Sequence, residues 1–136
     1  MKPRYVEHDG GRLGFAPNEK LDCTVRALAI ASGAEYGRVH ALLESYGRKR
    51  GRKMKDFARA MRVLCGGTFN GRCPRVAGDT GITLGRYALA HPEGRYCLRV
   101  RGHVVAVIDG VIYDLGEPKL RAIVTNAWKF EEVSNG

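Results

Sequence analysis

Acidic residues are scarce in this chain: 14 Asp and Glu stand against 23 Lys and Arg, a formal net charge of +9 over 136 residues. Such a balance suits a polyanion, a membrane surface or an acidic protein as partner. Long apolar runs are missing, and none approaches the roughly 20 residues that a membrane span needs. The opening stretch MKPRYVEHDGGRLGFAPNEK lacks the apolar centre of a secretory signal, so a cytosolic protein is expected. Cysteines are sparse too. Cys23, Cys65, Cys73 and Cys97 form no disulfide framework, and Cys23 and Cys97 fall inside apolar patterns, which points to a reducing compartment. No two of them show the spacing of a structural zinc motif, so neither metal nor cofactor is expected. Aromatic residues make up only 8% of the chain. None interleaves with the basic run from Arg48 to Lys55, which therefore offers no stacking platforms for a single strand. Repeats and low-complexity tracts are absent as well.

The length allows one domain over residues 1–136, large enough for a core without staples. Residues 1–17 read as a polar arm. From 22 to about 64 the apolar spacing is helical. A first helix, DCTVRALAIASG, is apolar nearly all round and so is central, with Gly33 as its left-handed cap. A second runs from about Glu35 to Tyr46, with Tyr36, Val39, Leu42, Leu43 and Tyr46 on one face, and a third from Asp56 to Leu64. Between them lies the basic segment 48–55, read as a solvated loop. Arg48, Lys49, Arg50, Arg52, Lys53 and Lys55 there are the candidate contacts for an acidic protein or, nonspecifically, for nucleic acid.

Glycine-rich residues 66–82 read as loop, and a short helix is expected from Thr83 to Ala90. Beyond His91 the period changes to two. Arg95–Val100, His103–Ile108 and Val111–Asp114 read as three antiparallel strands, and Asp109-Gly110 is a strong hairpin signal. Residues 122–125 and 128–133 add one or two more. The expected class is α+β, with the helices packed on one face of an antiparallel sheet.

Cys23 opens the central helix, after an aspartate in the capping position. A helix N-terminus carries roughly +0.5 of an elementary charge and unpaired N–H groups, which favour a thiolate. Counting back from a two-residue Asp109-Gly110 turn sets Ile108 opposite Val111 and Val105 opposite Asp114. Asp114 thus becomes a diagonal neighbour of His103. Asp109, at the hairpin tip, lies about 20 Å from His103 at the usual strand rise, and shaping the turn accounts for it. The three groups suit acyl transfer: Cys23 as nucleophile, His103 as acid and base, Asp114 as its orienting carboxylate. The Cys23 N–H is a natural oxyanion donor, and the Asn18 side chain is the best candidate for a second. His8, His40 and His91 have ordinary surface or helix positions, and Trp128, Tyr96 and Tyr113 read as core or cleft-wall residues.

This arrangement resembles the papain-like cysteine peptidase fold. In that family a cysteine opens the central helix, a histidine and an Asn or Asp follow on neighbouring strands, and an amide side chain before the cysteine lines the oxyanion hole. The matching positions are Cys23, His103, Asp114 and Asn18, with Asn where the family usually has Gln. The resemblance spans Asn18 to Leu115 and is nearest to the small bacterial and phage members, including bacteriocin-leader-processing peptidases. It implies a cysteine peptidase, isopeptidase or amidase working through an acyl-enzyme in the cytoplasm of a bacterial or phage-infected cell. The alternative is an inactive member that serves as a protein- or nucleic-acid-binding module.

Overall fold

The computed structural model describes residues 2–133. The three strands read from the period of two have the expected bounds: β3 (Arg95–Val100), β4 (His103–Ile108) and β5 (Val111–Asp114). Asp109 and Gly110 both take positive φ, 50° and 77°, the backbone that a two-residue hairpin between right-twisted strands requires. The pairs Ile108–Val111, Val107–Ile112 and Ala106–Tyr113 match the count from the turn.

Three further strands complete a six-stranded sheet: β1 (Arg4–Glu7), β2 (Arg72–Val76) and β6 (Val124–Glu132), in the order β1-β5-β4-β3-β6-β2. Two expectations are corrected here. The arm is structured: β1 runs parallel to β5, so the sheet is mixed, and a one-turn helix α1 (Arg12–Phe15) follows it. The supposed loop 66–82 holds β2, an edge strand with Pro74 at its centre. An edge tolerates the missing N–H, so proline hid the strand without preventing it.

Alternation divides β3 and β4 between two cores. Cys97, Val104 and Ala106 face α2 (Cys23–Ser32), α3 (Tyr36–Ser45) and α4 (Phe57–Leu64). Leu98, Val100, Val105 and Val107 face the other way, onto Leu84, Tyr87 and Ala88 of α5 (Leu84–Ala90). The expectation of helices on one face alone is therefore corrected: α5 covers the second face. Residues on both sides of these central strands are apolar, and such a sheet needs two covers. The class is α+β, with a mixed sheet.

All ten residues of α2 are buried, as its all-round apolar pattern predicts. Its C-terminal carbonyls are met by cationic side chains from the sheet: Arg95 donates to Ala31 and Ile30 at 2.8 Å each, and Arg72 to Ser32. Positive charge at that end complements the helix dipole and pins α2 in register across β3 and β4. The other end of α2 carries Cys23. Among the described residues, no helix is long and apolar enough to cross a membrane.

Candidate active site

Asp22 occupies the N-cap position of α2, yet its side chain makes no capping bond. It is fully buried and accepts instead from Arg12 (3.2 Å), from Tyr36 Oη (2.7 Å) and from Arg26 one turn along the helix. The expected aspartate cap is thus a buried ion-pair hub. With that carboxylate turned inward, no side chain of Asp22 competes for the N–H groups of the first turn. The positive end of α2 is left facing Cys23.

His103 opens β4 and Asp114 ends β5. The β4–β5 ladder stops at Ala106–Tyr113, so the expected Val105–Asp114 pair does not form; Asp114 pairs with Glu7 of β1. Beyond the ladder's end the imidazole and the carboxylate meet: His103 Nε2 lies 2.7 Å from Asp114 Oδ2. The other carboxylate oxygen accepts the Leu115 N–H at 2.8 Å and has the Arg26 guanidinium at 3.7 Å. Asp114 is buried and held at both oxygens, whereas His103 is half-buried. With Nε2 engaged, Nδ1 is the nitrogen left for the thiol.

Cys23 lies beside that ring. Burial pushes its pKa up. Opposing this are the His103 ring, as hydrogen-bond partner and as charge, the Val104 N–H and the Arg26 guanidinium, and the net result is a thiol below its ordinary value. His103 moves the other way. The bond to Asp114 and then that to Cys23 outweigh its desolvation, and its pKa rises from 6.5 to about 9. A thiol pulled down beside an imidazole pushed up is what results when each group favours the charged form of the other. The remaining thiols offer a contrast: burial raises both Cys65 and the fully enclosed Cys97, and all four cysteines are free.

A small cleft of about 80 Å³ opens over Cys23 and His103, walled by Thr24, Phe57, Arg99 and Val104 and by the chain from Lys53 to Lys55. Thr24 Oγ1 is buried there without a hydrogen-bond partner among the described residues. Asn18 is not among the lining residues. It is exposed in the turn before α2.

The residue that turns inward from that segment is Glu19, which sequence reasoning passed over. Its buried carboxylate receives His40 Nε2 (2.7 Å), Arg48 (3.2 Å) and the N–H groups of Gly51 (2.6 Å) and Lys20 (3.0 Å). Desolvation acts against ionisation, but these donors prevail and hold its pKa at about 2. His40 is thereby committed to Glu19. Arg48 is corrected as a partner contact: it is 3% exposed, tied to Glu19 and to the Lys20 carbonyl, and anchors the basic loop from within. Lys49, Arg50, Arg52, Lys53 and Lys55 are exposed. Arg26 was the other omission. It lies one turn after Cys23, and a lone cation in an otherwise uncharged helix is the signal that would have marked it.

Among the described residues no group of three His, Cys, Asp or Glu side chains is disposed to hold a metal ion. Comparison with protein-family models, curated proteins and solved structures finds nothing that matches this chain.

Proposed function

We propose that this chain is a cysteine-dependent hydrolase of peptide, isopeptide or amide bonds, built on a papain-like scaffold and active in a reducing cytoplasm. The observation that carries the reading is the His103–Asp114 pair set in one cleft with Cys23, with the thiol pKa lowered and the imidazole pKa raised to about 9. Cys23 Sγ attacks the carbonyl carbon, and the oxyanion forms at the uncapped start of α2, where the Cys23 N–H donates. Imidazolium His103 then delivers its proton to the leaving nitrogen, the C–N bond breaks, and a thioester remains. Water adds to the thioester carbonyl while His103 accepts its proton; the C–S bond then breaks, the acid departs, and thiolate Cys23 beside imidazolium His103 is restored. Asp114 holds the ring in one orientation and one tautomer throughout. Asn18 is exposed and is assigned no step.

The test is p-nitrophenyl acetate, a small activated ester that fits a shallow cleft. The expected result is a burst of one nitrophenolate per chain and a single acetyl group on Cys23, both absent in Cys23→Ala. Acetylation spread over surface lysines with no burst overturns the proposal. The narrowness of the cleft, about 80 Å³ beside a larger basic groove, favours one other reading, an inactive scaffold that only binds. That reading predicts no burst.

A further inference from the structure

Next to the nucleophile's cleft runs a groove of about 470 Å³ along the segment from Tyr46 to Asp56. The two share Lys53, Met54 and Lys55, so the groove and the cleft that holds Cys23 and His103 adjoin along that segment. Lys49, Arg52, Lys53 and Lys55 line the groove and are exposed, and among the described residues none is ion-paired to a carboxylate. Asp56, its one acidic lining residue, is occupied as the cap of α4, accepting the Arg59 N–H. Other cations without a carboxylate partner among the described residues, such as Arg38, Arg62 and Arg121, are scattered over the chain, whereas these four line one groove.

The groove is also firm. Glu19 holds the loop from below through Arg48 and the Gly51 N–H, and the Lys53 ammonium donates across to the Gly102 carbonyl at 3.0 Å, at the junction of groove and cleft. A cluster of four cations with a single carboxylate among them, adjoining an acyl-transfer site, selects for charge on the substrate. We infer that the substrate is a polypeptide with an acidic segment adjoining the bond that Cys23 attacks, and that the groove lined by Lys49, Arg52, Lys53 and Lys55 binds that segment. This rests on the hydrolase reading above and supplies its substrate class. Peptide is favoured over single-stranded nucleic acid because the groove has one aromatic residue, half-buried Tyr46, and no succession of stacking faces.

Binding is measured in Cys23→Ala, which does not need the nucleophile, by fluorescence anisotropy with a dye-labelled hexaglutamate, a neutral Gly-Ser peptide and an oligothymidylate. Hexaglutamate is expected to bind best. Its affinity should fall about tenfold between low and moderately high salt, and about tenfold again in Lys49→Glu/Arg52→Glu/Lys55→Glu. The corresponding glutamine variant should fall between. In the unmutated chain, saturating hexaglutamate should slow iodoacetamide alkylation of Cys23. Preference for the neutral peptide or for oligothymidylate, or indifference to charge reversal, overturns the inference. So does binding that leaves Cys23 unprotected. Failure of the ester burst with hexaglutamate binding intact would instead count against the hydrolase reading.

Discussion

Replacing Glu19 with Gln keeps the shape of the side chain and removes its charge. In the folded chain the carboxyl pKa moves from 4.5 to about 2, which corresponds to about 3 kcal/mol of preference for the ionised form over the unfolded chain. The residue is 4% exposed, so solvent screening takes little from that figure. The glutamine leaves the Arg48 guanidinium, 3% exposed, without a counter-charge, and breaking a buried pair in this way typically costs about 3–5 kcal/mol. Urea unfolding at pH 7 should therefore show Glu19→Gln less stable by about 3 kcal/mol. The pH dependence has a definite sign. A depressed carboxyl pKa contributes stability that is present above about 4.5 and lost as pH falls through about 2, so the two proteins should converge on acidification. Amide exchange at Gly51 should accelerate in the variant, because its N–H donates to this carboxylate at 2.6 Å. A loss below about 1 kcal/mol at pH 7, the level of an exposed pair, or a gap unchanged at pH 2, would refute the reasoning.

Other consequences follow from the same contacts. Asp114→Asn should return the His103 titration from about 9 toward its ordinary 6.5, read by NMR, and lower ester turnover by about 10²-fold or more; an unmoved titration contradicts the orienting role. Arg26→Met strips buried Asp22 of one partner and removes a cation that lowers the Cys23 pKa. It should cost about 3 kcal/mol in urea unfolding and shift the alkylation profile of Cys23 to higher pH. Hydrolysis should decline above about pH 9, where His103 loses the proton it gives to the leaving group, whereas alkylation of Cys23, which needs only the thiolate, should not decline there.

The hairpin was legible because its signals are local: an Asp-Gly turn and strict alternation fix strands, turn and register together. The central helix was legible because apolar residues on nearly all its faces, closed by a glycine, have few other readings. Legibility ended where partners are distant in sequence. β1 is four residues long and takes its stability from a parallel neighbour more than 100 residues away, so its own pattern carries almost no information. β2 hid behind Pro74. The side-chain hubs were the least legible of all. Whether Asp22 caps its helix or binds Arg12, Arg26 and Tyr36, and whether Asn18 or Glu19 turns inward, depends on which donors the finished fold delivers. Counting from the turn set Asp114 near His103, although the pair meets past the end of the ladder and not across it.

The central claim is an activated thiolate at Cys23, and competitive alkylation of all four cysteines by iodoacetamide across pH tests it most directly. Each tenfold gain in thiolate from a lowered pKa is partly offset by reduced nucleophilicity, for a net gain of about threefold below the pKa. The account predicts that Cys23 reacts first near neutral pH, with an apparent pKa below that of a free thiol and a rate that falls in His103→Ala. Equal rates at Cys23, Cys65 and Cys73, or a Cys23 rate indifferent to His103, would contradict it.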